Sequence, residues 1–259
     1  MTLDPLALLP EVDRATERLF RTVAGLDDAS VGEPSLLPGW TRGHVLTHLA
    51  RNADSYVNLL TSARTGEDVP QYPSPAARND GIAAGAGRTL ADQLADLRAS
   101  AERLADAARE LPAEAWAAQV RSNLGPRAAA TLVWGRLREV EVHHVDLAAG
   151  YRTADWPDAF SQRLLHEVVH DLARRDTPLA LVLRPTETGQ PLLLGPAGRP
   201  DGDPERGATD RRSSGVADPD PRTVAGPAHA LAGWLTGRGA GENLVVTPAG
   251  PLPAAPAWI

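Results

Sequence analysis

Apolar residues recur at spacings of three and four over residues 11–26, where Val12, Ala15, Leu19, Val23 and Leu26 share one stripe. That period predicts an amphipathic helix. The run Leu37-Pro-Gly-Trp40 breaks the pattern, and Thr41 then sits as the N-cap of a second helix reaching about Leu60. Residues 65–87 are rich in Gly, Pro and Ser with no apolar period and read as a long loop. A loop of that length inside a compact domain is often functional. Thr89 opens a third helix, with Leu90, Leu94, Leu97, Ala101, Leu104 and Ala108 on one stripe, and Pro112 ends it. Pro126 stands where a first-turn proline belongs, so a fourth helix is expected from there to about Ala149, stopped by Gly150. Four such helices predict a bundle over residues 5–150.

The pattern changes after Gly150. Residues 157–175 read as a helix. Leu179–Leu183 and Pro191–Leu194 read as short strands. Residues 196–222 are dense in Gly, Pro, Asp and Arg and read as an irregular or mobile excursion. Thr223–Thr236 reads as a helix closed by Gly237, and Leu244–Thr247 as a last strand. The expectation for residues 151–259 is a small α+β domain, so the whole chain is α+β.

The fourth helix carries the chemistry. Leu132, Val133, Leu137, Val140, Val142, Val145 and Leu147 do not share one narrow stripe, so most of its surface should be buried. Yet Arg136, Glu139, His143 and Asp146 form a polar line at helical spacings of three and four. Polar groups buried without partners cost several kcal/mol each, roughly 2–7, so this line must be paired or must bind something. Glu139 and His143 lie one turn apart on one face, which aims two metal-ligand types at one point. A nitrogen from the second helix would complete a three-ligand site with an open position, the form of a catalytic zinc centre. His48 is the preferred third ligand, with His44 one turn before it. Glu141 and His144 are a competing pair; His143 is preferred because it continues the polar line. The plain alternative is a satisfied core His48 with Glu139 paired to Arg136 or Arg138. A rival zinc motif, His166-Glu-Val-Val-His170, fits the metalloprotease spacing, but Asp171 follows it directly and Glu187 is the only third ligand in view. Arg78 and Arg238 read either as carboxylate clamps or as solvated surface arginines.

Composition narrows the classes. The chain has 259 residues, a net charge of −7 and no cysteine. Disulfides, thiolate metal sites and a cysteine nucleophile are therefore excluded, and any thiol must come from outside. The acidic balance argues against a nucleic-acid partner. No secretory or membrane-spanning run is seen, so a cytoplasmic protein is expected.

Leu37-Pro-Gly-Trp-Thr-Arg-Gly-His-Val-Leu-Thr-His48 with its continuation to Asp54 resembles the second-helix signature of the mycothiol-dependent maleylpyruvate isomerase family, one of the DinB-like metal-binding four-helix bundles. Arg138–Leu147 resembles that family's second metal motif, and Tyr72–Arg78 and Val224–Arg238 also follow its pattern. The resemblance implies zinc, or another divalent metal, held by His48, Glu139 and His143. It implies Arg78 and Arg238 as functional arginines, Arg78 also toward the cofactor. Mycothiol, a low-molecular-weight thiol, is the implied cofactor, a small-molecule substrate the implied partner, and a monomer the implied state. The implied reaction is cis–trans isomerisation of maleylpyruvate to fumarylpyruvate: a metal-activated thiolate adds to the cis double bond, the resulting single bond rotates, and the thiol leaves. Asp146 or Glu141 is the candidate to orient a ligand. Another mycothiol-dependent S-transferase, or a metal- or ligand-binding protein without turnover, is the alternative on the same scaffold.

Overall fold

The computed structural model describes residues 4–175, 180–195 and 222–258. It divides into two compact units, Met1–Arg152 and Thr153–Ile259.

The first unit is built on four long helices: α1 (Pro5–Ala24), α3 (Arg42–Thr65), α5 (Leu90–Arg109) and α6 (Thr131–Asp146). Two short helices, α2 (Asp28–Val31) and α4 (Pro75–Gly85), and a hairpin of β1 (Gln119–Ser122) and β2 (Gly125–Ala128) join them. The long helices close a ring, with α3 against α5 and α6, and α1 against α6 and α5. Leu19, Leu46, Leu49, Leu59 and Leu97 are fully buried inside it. Each contributes roughly 1.5–3 kcal/mol of transfer free energy.

Caps set the ends. The Thr41 side chain accepts from the backbone N–H of His44, and the His44 ring accepts from the N–H of Thr41, a reciprocal box that starts α3. At the far end Gly66 adopts φ 77°, open to glycine at no steric cost. Thr89 caps α5 through the Asp92 N–H. The second and third helices thus begin where the polar–apolar pattern places them.

Three sequence expectations fail in instructive ways. Residues 65–87 are not loop throughout, because Pro75–Gly85 is a helix with Ser74 accepting from the Ala77 N–H at 3.0 Å. Its Gly85 serves tertiary packing, as does Gly43 of α3. A Cβ on Gly85 would lie 2.5 Å from Thr47 Cγ2, and one on Gly43 would lie 2.0 Å from the Ala86 carbonyl oxygen. Pro126 does not start a helix; it sits in β2, paired with Arg121. The helix begins at Thr131, with no side-chain cap to announce it. Third, residues 222–226 form a strand, and the helix that follows is only Ala228–Leu235.

The second unit holds α7 (Asp158–Ala173), β3 (Leu181–Pro185), β4 (Leu192–Leu194), β5 (Arg222–Gly226), α8 (Ala228–Leu235) and β6 (Val245–Thr247). Its sheet runs β4-β3-β5-β6, antiparallel except for the parallel β3–β5 pair. Helix α8 packs on α7 and on β3 and β5. The expected α+β class is what the chain adopts. Leu179 of the first expected strand lies outside the described residues, and so does the expected excursion up to residue 221.

Candidate metal centre

Arg42 ties the start of α3 to the end of α6. Its Nε donates to the Leu147 carbonyl at 2.8 Å and its Nη2 to the Ala148 carbonyl at 2.9 Å, which satisfies two C-terminal acceptors of α6. The Leu36 N–H adds a bond to the Asp146 carbonyl at 2.8 Å. These ties hold His48 of α3 level with Glu139 and His143 of α6.

Three ligand-type atoms converge there. His48 Nε2 lies 3.0 Å from Glu139 Oε2 and 3.1 Å from His143 Nε2, and His143 Nε2 lies 3.4 Å from the same carboxylate oxygen. Among the described residues these three form the one group of histidine and carboxylate side chains able to hold a metal ion. Ligand atoms about 2.0–2.1 Å from a tetrahedral metal stand about 3.3–3.4 Å apart, so the triangle needs little adjustment to close on an ion. The donor set, two imidazoles and one carboxylate, suits zinc.

The surroundings orient each donor. Asp146, 1% exposed, accepts from His143 Nδ1 at 2.8 Å. That leaves the His143 Nε2 lone pair facing the centre. The two histidine rings meet edge to face at 4.7 Å, and Trp40 covers His48 from 5.7 Å. Arg78, carried by α4, places Nη2 3.3 Å from His48 Nδ1 and Nη1 3.0 Å from Asn79 Oδ1, with the Tyr72 ring 5.9 Å below the guanidinium.

The electrostatics call for a cation. Burial works against charge on Glu139, but the hydrogen bonds from His143 and His48 override it and hold the carboxyl well below the usual carboxylate range. Burial likewise opposes charge on His143, yet its bonds to Asp146 and Glu139 push it up to about 9. Burial pushes His48 down, and the Glu139 bond offsets only part of that. A proton on His143 therefore does part of the work that a metal ion would do.

The competing sequence candidates have other partners. His44 is spent in the α3 cap. Glu141 pairs with Arg18 and accepts from the Tyr151 hydroxyl at 2.6 Å. His144 stacks on Tyr151 at 3.8 Å and bonds Thr22 Oγ1 at 2.8 Å. Of the two candidates for orienting a ligand, Asp146 touches one and Glu141 does not. Arg136 and Arg138 are not the hydrogen-bond partners of Glu139; Arg136 donates instead to the Leu49 carbonyl and to Asn52 Oδ1, both at 2.9 Å. His170 lies 3.8 Å from Asp171, and Glu187 accepts from the Ala228 N–H at the start of α8, so among the described residues the rival zinc motif gathers no third ligand. Arg238 belongs to the second unit, where its Nη1 donates to the Thr236 carbonyl at 2.7 Å. Trp40 and Arg42 escaped the sequence reading as parts of the site, and nothing local marks them.

The family model for the mycothiol maleylpyruvate isomerase N-terminal domain matches residues 12–148. A search of curated proteins found no match. A crystal structure of the mycothiol-dependent maleylpyruvate isomerase is similar at 30% identity and a TM-score of 0.85, over 99% of this chain and 98% of that one. A histidine-to-alanine mutant of the mycothiol-dependent maleylpyruvate isomerase matches at 29% identity and a TM-score of 0.84, again over 99% and 98%. With the family model spanning more than half of its length, the chain belongs to the mycothiol maleylpyruvate isomerase family.

Proposed function

We propose that the protein is a mycothiol-dependent, zinc-dependent isomerase that converts maleylpyruvate to fumarylpyruvate. The observation that carries the reading is the triangle of His48, Glu139 and His143, with an arginine on α4 within 3.3 Å of one of its members. Similarity to solved structures of the mycothiol-dependent maleylpyruvate isomerase supports this choice of reaction. His48, Glu139 and His143 would hold the zinc, and the chemistry it would supply is Lewis acidity that lowers the pKa of an external thiol toward thiolate at neutral pH. The thiol has to be external, because the chain has no cysteine.

The protein's own residues do the rest. Asp146 holds His143 in the tautomer that ligates through Nε2. With Nε2 committed to a metal, the His48 proton would sit on Nδ1, and Nδ1 would no longer be an acceptor for Arg78. The guanidinium then turns its donors to a carboxylate of substrate or thiol, where a planar two-pronged bond fixes orientation and stabilises developing negative charge. We assign Arg238 a carboxylate-binding role on the family pattern alone. Trp40 keeps one side of His48 dry. We further propose that the enzyme works as a cytoplasmic monomer; no helix among the described residues is long and apolar enough to cross a membrane.

The test is metal content of wild type beside His48→Ala and Glu139→Ala, followed by isomerisation of maleylpyruvate with mycothiol. About one zinc per chain, lost in both variants together with turnover, is the expected result. Zinc without isomerisation would move the function to another thiol-transfer reaction at the same centre. Metal unaffected by either change would refute the site.

A further inference from the structure

A second site lies lower in the bundle. A cleft of ≈ 560 Å³ opens between α1 and α5 and runs down to α3 and α6. That volume is in the range of small-molecule pockets, about 300–1,000 Å³. Leu9 and Phe20 of α1, Ala101 and Ala105 of α5, Leu60 of α3 and Leu132 of α6 give it apolar walls. None of the three metal-site side chains lines it. On α3 its floor residue Tyr56 stands eight positions after His48, about 12 Å further along the axis at 1.5 Å per residue.

One wall residue does not fit an empty apolar cleft. Arg136 is 3% exposed and lines the cleft. Among the described residues its hydrogen bonds both leave from Nη1, to the Leu49 carbonyl and to Asn52 Oδ1. A guanidinium has five N–H donors, so the Nε and Nη2 edge, the edge that grips a carboxylate side-on, is unspent. No carboxylate forms an ion pair with it among the described residues. Glu139 and Asp54 act on it only from beyond contact; a buried cation with no carboxylate in contact is costly, and an anionic group in the cleft lowers that cost. At the mouth, Asp13, Glu17 and Glu102 face Arg98 and Arg109, all exposed, so the rim sets no strong charge barrier against an anion.

We infer that the cleft is a second ligand site, distinct from the metal centre, for an apolar molecule bearing one carboxylate: the carboxylate on the Nε–Nη2 edge of Arg136, the hydrocarbon part along α1 and α5. The ligand class follows from the two features together, since apolar walls alone would not select an acid and an arginine alone would not select a hydrocarbon.

Calorimetric titration of the full-length, zinc-loaded protein with octanoate and with octanol tests the site. Octanoate should bind at least about tenfold more tightly than octanol. Arg136→Met should bring the two level. Ala105→Phe, which adds a ring to the α5 wall and leaves the Arg136 bonds intact, should weaken both by at least about tenfold. His48→Ala should leave octanoate binding unchanged, which separates this site from the metal centre whatever the fate of the isomerase reading. No binding of either probe overturns the inference, as does equal binding of the two to wild type. Octanoate binding that is lost in His48→Ala and kept in Ala105→Phe would place the carboxylate on the metal and also overturn it.

Discussion

Asp146→Asn should weaken zinc binding about tenfold while leaving the fold intact. Asp146 is 1% exposed, and its Oδ2 accepts from His143 Nδ1 at 2.8 Å. Asparagine has nearly the same shape and can still accept that bond, so the His143 tautomer survives. What is lost is the charge. Hydrogen bonds to charged groups contribute roughly 1.5–3 kcal/mol against about 0.5–1.5 for neutral ones, a difference of about 1–1.5 kcal/mol. About 1.4 kcal/mol corresponds to a factor of ten in affinity. Asp146→Ala removes orientation as well, and should approach the hundredfold end of the roughly 10–100-fold range seen when a ligand loses its outer partner. Competition against a chromophoric zinc chelator at fixed pH gives the affinities, and far-UV circular dichroism checks the fold. Two results would refute the reasoning. One is unchanged zinc affinity in a folded Asn variant. The other is an Asn variant as weak as the Ala variant, which would mean that charge, not orientation, is the whole contribution.

Arg78→Lys keeps the charge but loses the two-pronged geometry; it should retain about one zinc per chain and lose roughly tenfold or more in kcat/KM, measured with maleylpyruvate and mycothiol. Glu141→Gln removes the charge opposite Arg18 and should lower the melting temperature without changing zinc stoichiometry, whereas Glu139→Gln should lose metal. Gly43→Ala places a methyl 2.0 Å from the Ala86 carbonyl oxygen just past α4; overpacking of this kind costs roughly 1–3 kcal/mol, and with Arg78 displaced, activity should fall further than metal content. In the metal-free protein the His143 pKa is raised to about 9, from an ordinary value of 6.5. Its contribution to stability is fully present below about 6.5 and is lost as pH rises through about 9. Denaturant midpoints should therefore fall across that window in the apo protein and stay flatter with zinc bound; a flat apo profile would count against the protonated His143.

The chain reveals in sequence what is decided locally, and hides what is decided by contact. The cap at Thr41 and the stripe of α5 depend on neighbours within a turn or two, so spacing alone recovers them. The polar line on α6 is readable for the same reason: a buried helix must account for each polar side chain, and Glu139 and His143 have one face in common. Choosing His48 over His44 takes one more local step, because a histidine three residues after an N-cap threonine can be spent on the cap. Residues decided at long range are different. The glycines of α4 lower its helix propensity and make residues 65–87 read as loop; the purpose of Gly85, close approach to Thr47, is visible only once α3 lies alongside. Pro126 satisfies the rule for a first helical turn and equally the rule for a short edge ribbon, and only pairing with Arg121 decides between them. Residues 222–226 become strand because β3 lies parallel beside them. Arg42 is the sharpest case. At the first turn of α3 it has the position of an ordinary solvated residue, yet it reaches the last carbonyls of α6 and so sets the distance between His48 and His143. The ligands are legible because chemistry restricts their types; the residue that fixes their spacing is not, because any long donor in the right place would serve.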